Sequence, residues 1–248
     1  MKKILIAVPI ILVALVLVLG FYMNSIVKSG VETVGSLVTG VSVKLKDVDI
    51  SLMSGKGQLK ELFVGNPEGF KTESAFRLKE VKIELDVPSV LSDKIIIKEI
   101  LINAPDITYE KSSSGDNIQA ILNNIESFAG GVQKVVPETG KAEQEEKQTE
   151  KAGRKVQINN FIITDGKVNM SATALQGQKL SFPLQDIHIR DIGKEKEGTT
   201  MSKALQQIFV VLNKNTVTAV AGSVADIGKT AEETVGGAVG KLKGLFGK

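Results

Sequence analysis

The pattern apolar-polar-polar-apolar-x-apolar occurs six times in this chain, and it limits the folds open to it. The copies begin at Leu45, Leu59, Leu78 and Ile97, then, beyond a polar interval, at Ile158 and Leu184. Each lies in a stretch that alternates apolar and polar residues with period two, the mark of a strand with one apolar face. Val43 and Leu45 share a face, but Val48, Ile50 and Leu52 continue one residue out of step. Phe76 and Leu78 give way to Val81, Ile83 and Leu85 in the same manner. A one-residue slip would turn every later side chain to the wrong face. A bulge at the two polar residues absorbs the slip and bends the strand. The pattern therefore predicts long, curved, amphipathic strands.

The copies pair through turn chemistry. Ser54-Gly55-Lys56-Gly57 separates the first two, and Pro88 to Asp93 separates the third and fourth. Asn66-Pro67, Ala104-Pro105 and Asp165-Gly166 read as the ends of hairpins stacked in one antiparallel meander, with a further hairpin around Gln176-Gly177. Between the halves, Ile118, Ile121, Leu122, Ile125 and Phe128 form a helical stripe that Asp116 or Ser114 could cap and Gly130-Gly131 ends. Pro137 to Lys155 is rich in Glu and Lys with little to bury, and reads as a linker. In the tail, Val217, Val220, Val224, Ile227, Ala231, Val235, Val239, Leu242 and Phe246 recur every three or four residues. Gly236, Gly240 and Gly244 add a face able to pack closely. From Thr216 onward this predicts a helix that meets a membrane or another helix rather than the sheet, or else a weak, frayed one.

The N-terminus carries a different signal. Met1-Lys2-Lys3 precedes a run from Ile4 to Tyr22 without a charge. As a helix it would span roughly 28 Å, close to one hydrocarbon core. The lysines place the N-terminus on the cytoplasmic side and the body beyond the membrane. The competing reading is a cleaved signal peptide, for which Val27-Lys28-Ser29 is a poor cleavage site. The fold class is thus mainly β with helices: an N-terminal transmembrane helix, a curved antiparallel meander or groove, one short amphipathic helix and a C-terminal amphipathic helix. The divisions are 1–24 anchor, 25–130 β-rich region, 131–155 charged linker, 156–193 continuation of the sheet and 194–248 helical tail. An open apolar groove and a closed sandwich fit the pattern equally.

Little in the chain suggests reaction chemistry. It has no Cys or Trp and one His, a net charge of +3 and 4% aromatic residues, which argues against nucleic acid and stacking platforms. His188 falls on the polar phase of its strand. Asp47 with Asp49, and Asp186 with Asp191, belong to the strand pattern rather than to a cleft. No glycine-rich loop opens a helix after a strand. No enzyme activity, cofactor or metal is expected. Asn66-Pro67-Glu68-Gly69-Phe70 reads as a structural turn.

An anchor leads into curved strands and Leu59-Lys60-Glu61-Leu62-Phe63-Val64-Gly65-Asn66-Pro67-Glu68-Gly69-Phe70. Then come Val81-Lys82-Ile83-Glu84-Leu85-Asp86-Val87 with Leu91, and Ile95 to Ile107. These stretches resemble the N-terminal region of the AsmA-like proteins of bacterial envelopes, well from Met1 to Ile125 and more loosely from Val156 to Ile192. The resemblance implies an inner-membrane, single-pass protein with a periplasmic β-rich body, linked to outer-membrane biogenesis and phospholipid movement. More distantly it implies likeness to groove-forming, bridge-like lipid transfer proteins. It implies Val48, Ile50, Leu52, Val81, Ile83, Leu85, Ile187 and Ile189 as lipid-facing candidates, with phospholipid, a protein partner or a second copy as partners. Roughly eight strands would form a groove of only ~40 Å, too short to bridge two membranes alone.

The anchor is tested by a reporter active only in the cytoplasm, fused after Lys248. It should be silent. Activity, or a mature protein beginning near Gly30, contradicts the anchor.

Overall fold

The computed structural model describes residues 22–113, 115–130, 154–172, 180–195 and 197–230. The candidate span Ile4–Tyr22 lies outside them except for Tyr22, as do most of the charged linker and Gly236, Gly240 and Gly244. Among the described residues no helix is long and apolar enough to cross a membrane.

A first helix, α1, covers residues 22–39 and was not foreseen from the sequence. Ten strands follow among the described residues: β1 (Val43–Ser51), β2 (Lys56–Gly65), β3 (Ser74–Leu85), β4 (Lys94–Asn103), β5 (Asp106–Ser112), the two-residue β6 (Gly115–Asp116), β7 (Lys155–Thr164), β8 (Lys167–Ala172), β9 (Leu180–Pro183) and β10 (Ile187–Ile192). Helix α2 (Asn117–Ala129) follows β6, and α3 (Met201–Thr230) follows β10. All strands join one sheet.

Ala104-Pro105 and Asp165-Gly166 do not reverse the chain, contrary to the expectation of hairpin ends. The parallel register runs unchanged from Asn103 opposite Thr164 to Asp106 opposite Lys167. Thus β4 and β5 form one long strand with a kink, as do β7 and β8. The antiparallel register of β10 on β7 likewise continues into β9 on β8. The sheet is six long strands in chain order. The cause is backbone conformation: Ala104 and Asp165 have φ of 50° and 55°. One residue in the left-handed region flips the pleat without turning the chain back.

These kinks line up. The β1–β2 and β2–β3 ladders skip Lys46, Glu61 and Lys79 while keeping register, and Glu61 has φ 51°. A second break passes through Lys98, Asn159 and Asp191, the last with φ 58°, and shifts β3 against β4 between Glu84 and Leu85. The polar pairs that the sequence marks as bulges are therefore bends shared across neighbouring strands. Because each strand inserts its extra residue at the same level at the first bend, the apolar faces stay aligned across it.

On one side of the first bend Val43, Val64, Phe76, Ile107, Val168 and Phe182 lie side by side. On the other side Val48, Leu59, Val81, Ile102, Ile163 and Ile187 do the same. All twelve are buried.

The sheet is mixed rather than a pure antiparallel meander, since β4–β7 and β5–β8 are parallel. A parallel neighbour requires a long crossover, and the stretch holding α2 supplies it. Asp116 caps α2, accepting from the Gln119 N–H at 2.8 Å, and buries Ile118, Ile121, Leu122 and Ile125.

Helix α3 corrects the tail. It starts at Met201, well before Thr216, and Ala204, Ile208, Leu212, Thr216 and Val220 are buried at four-residue spacing. It lies on α2 and on β7 to β10, so it packs on the sheet as well as on a helix. The Phe76 and Phe209 rings meet edge-on at 5.6 Å. The large side chains of Leu205 to Leu212, upstream of the stripe read from sequence, supply this attachment together with Thr216 and Val220 at the start of that stripe.

Helix α1 runs along the β1 edge. Ser36 Oγ accepts the Val43 N–H at 2.9 Å, Glu32 Oε1 accepts the Leu45 N–H at 2.8 Å, and Lys28 Nζ donates to the Lys46 carbonyl at 2.8 Å. These bonds occupy groups that an open edge would offer to another chain.

The bend is tested at Ala104. A β-branched residue in the left-handed region is strained, so Ala104→Val should lower stability by about 1–2 kcal/mol, while Ala104→Gly should be close to neutral. Equal urea midpoints for both variants would contradict the kinked backbone.

Candidate lipid-facing surface

The apolar face is mostly core. Val48, Val81 and Ile187 are buried within it; Ile50, Ile83, Leu85 and Ile189 are half-buried and packed at its margin; Leu52 is exposed in the β1–β2 turn. The eight candidates are therefore not one open surface. What covers the face is the chain's own helices, α2 over β5 and β6 and α3 over β7 to β10. The sequence does not reveal this, because a stripe that covers a sheet and one that docks elsewhere have the same period.

Coverage is uneven. Below the first bend the next line runs through Ile50, Gly57, Ile83, Ile100, Phe161 and Ile189. Phe161, on the α3 side, is buried, whereas Ile50, Ile83 and Ile100 are half-buried. Leu85 and Ile95, nearer the end of the sheet, are half-buried too. The result is a half-buried apolar strip on β1, β3 and β4, interrupted on β4 by the buried Ile97.

The opposite face carries charge. An open trough of about 870 Å³ follows the first bend, lined by Lys60, Glu61, Phe63, Arg77, Lys79 and Lys167 among others. Arg77 lies 5.5 Å above the Phe63 ring. Lys46 pairs with Glu61, and Lys60 with Asp47 at 3.3 Å, across neighbouring strands. The Glu61 carboxylate raises the Lys46 ammonium pKa, and the hydrogen bond from Lys60 lowers that of Asp47. These pairs are exposed, so each contributes little. His188 is exposed, with Nε2 2.9 Å from Asn160 Oδ1. Among the described residues no group of three or more His, Asp or Glu side chains is placed to hold a metal ion.

The buried polar chemistry lies at the other end of the sheet, and Glu110 in it was missed from the sequence. Glu110 accepts the Lys71 and Thr72 N–H groups at 2.7 and 2.8 Å and the Thr72 hydroxyl at 2.5 Å. Asn117, fully buried, accepts the Glu110 N–H at 2.9 Å and donates to the Thr108 carbonyl at 2.8 Å and to Asn66 Oδ1 at 2.7 Å. Asn66 in turn donates to Thr72. The Asn66 to Phe70 motif thus belongs to a loop pinned by side chains and accounts for itself structurally. Tyr109 is buried beside this cluster, and desolvation, aided by the charge of Asp116, pushes its phenol up.

No protein-family model, curated protein or solved structure matches the chain.

Removing Asn117 orphans buried partners, each costing about 1–3 kcal/mol. Asn117→Ala should lower the melting temperature and speed hydrogen exchange across residues 66–73. Unchanged exchange in that loop would show that the cluster does not pin it.

Proposed function

We propose that this chain is a membrane-anchored, non-enzymatic envelope protein of AsmA-like type. Its apolar run at Ile4 to Tyr22 holds it in an inner membrane, and its body works on the far side in outer-membrane biogenesis. The body holds or passes phospholipid along the apolar side of its sheet. The observation that carries this reading is the half-buried strip of Ile50, Ile83, Leu85, Ile95 and Ile100. An acyl chain laid there would complete the burial of side chains already packed against the core on one flank, at roughly 25 cal/mol for each Å² removed from water. The strip is narrow, so the reading is one lipid tail at a time on a short surface rather than a continuous bridge.

A second reading is a structural adaptor that docks a protein partner. It is favoured by the closure of most of the apolar face by α2 and α3. In this reading the adaptor is anchored in the inner membrane and docks its partner through the C-terminal helix; the stripe of α3 as far as Val220 is already used inside the molecule, so the partner would meet the helix away from that stripe.

Native mass spectrometry of the full chain released from gentle detergent separates the two. Lipid handling predicts copurifying phospholipid that is lost in an Ile83→Asp, Ile100→Asp variant. An empty body with a stoichiometric protein partner supports the adaptor and contradicts lipid handling.

A further inference from the structure

The two ends of the sheet differ in character. At one end the β1–β2 turn and the β3–β4 connection touch. The Leu85 N–H donates to the Gly55 carbonyl at 2.8 Å. A Cβ on Gly55 would lie 2.7 Å from Val87 Cγ2, which is why this position, at φ 69°, is glycine. Lys155 N–H donates to the Asp93 carbonyl at 3.1 Å, and Val156 and Thr199 exchange backbone bonds, which brings the start of α3 to the same end. Five large apolar side chains are exposed here: Leu52, Met53, Val87, Leu91 and Met201. Met53 and Leu91 are 97% and 89% exposed at the tips of their turns. At the opposite end the loops around residues 66–73 and 112–115 place no exposed large apolar side chain among the described residues, although Leu37 in the last turn of α1 is 60% exposed there. Exposed apolar side chains scattered singly need no explanation, but several gathered on adjoining turns mark a surface that meets an apolar partner.

What meets them follows from the course of the chain. Ser36 bonds to Val43, Glu32 to Leu45 and Lys28 to Lys46, so α1 runs antiparallel to β1. Its first described turn therefore points toward the Met53 and Leu91 end. The residues before it are the uncharged run from Ile4 onward. We propose that this end of the sheet is a membrane-docking surface: Met53 and Leu91 insert among the headgroups of the bilayer to which the N-terminal run belongs. Lys56, Lys94, Arg154 and Lys155 lie close by, but so do Asp86, Asp93 and Glu197. Apolar insertion rather than net charge supplies the attraction. Docking in this way would also bring Leu85 and Ile95, at the lower end of the half-buried strip, next to the lipid. The inference rests on the anchored reading above but does not require that lipid be carried.

The chain has no cysteine, so single-cysteine variants M53C, L91C and E68C, the last at the opposite end, and L12C within the apolar run can each carry one environment-sensitive fluorophore. The full chain is reconstituted in nanodiscs of phosphatidylethanolamine and phosphatidylglycerol with nitroxide-bearing lipid. Labels at 53 and 91 should be quenched and the label at 68 should stay bright. A Val87→Cys label should lose its quenching in an M53D, L91D background. Quenching at 12 with bright labels at 53 and 91 leaves the anchor intact and overturns the docking surface. Quenching at 53 and 91 without quenching at 12 keeps the docking surface and removes the anchor. Bright labels at 53 and 91 together with disulfide-linked dimers through these positions assign the surface to a second copy and overturn the proposal.

Discussion

Aligned apolar rows that run unbroken across six strands are the constraint on which the molecule depends. Each row collects one side chain from every long strand, as from Val48 through Leu59, Val81 and Ile102 to Ile163 and Ile187. Bending a sheet normally sets bulge against register, because an extra residue in one strand displaces its neighbours. Here the first bend takes an extra residue in every strand at the same level, so the rows re-form below it. Left-handed residues at Glu61, Ala104 and Asp165 carry out that step. The cost of three strained backbones is offset by a face that stays apolar over the whole sheet.

That face then determines where the helices go. Helix α1 takes the open edge of β1, α2 sits on β5, and α3 lies across β7 to β10. Coverage is fuller where α3 passes and partial over β1, β3 and β4, so one continuous apolar surface is divided into a core and a strip. The division also sets the scale of any lipid role. A long bridge needs a face open along its whole length. This chain keeps only a margin of half-buried isoleucine and leucine, beside the end whose turns expose Met53 and Leu91.

The strands were legible because period-two alternation reports burial directly, and the bends were legible because a slip in that alternation has few other causes. The hairpin ends at Ala104-Pro105 and Asp165-Gly166 were misread: Pro and Gly mark any backbone departure, and the sequence does not distinguish a pleat flip from a chain reversal. The parallel pairing of β4 with β7 was hidden because it depends on where a crossover lands, not on the residues of either strand. Helix α1 escaped notice because its valines, Val27, Val31 and Val38, merge with the apolar run before them. For the lipid-facing candidates the sequence shows which face of the strand each occupies, not what covers that face. Which of them stay open depends on α3, whose large side chains from Leu205 to Leu212 precede the stripe that drew attention to the tail. Glu110 left no signal at all, since a buried carboxylate satisfied by Lys71 and Thr72, nearly forty residues upstream, looks in sequence like any strand glutamate.

The central claim is that the apolar rows are divided into a closed core and a lipid-accessible strip. Photo-crosslinking in native membranes tests it most directly, with a benzophenone amino acid placed in the full chain at Ile83 or Ile100 and, as the closed-core comparison, at Ile163. The account predicts phospholipid adducts at 83 and 100 and only intramolecular products at 163. Adducts absent from all three positions, or present equally at 163, would contradict it.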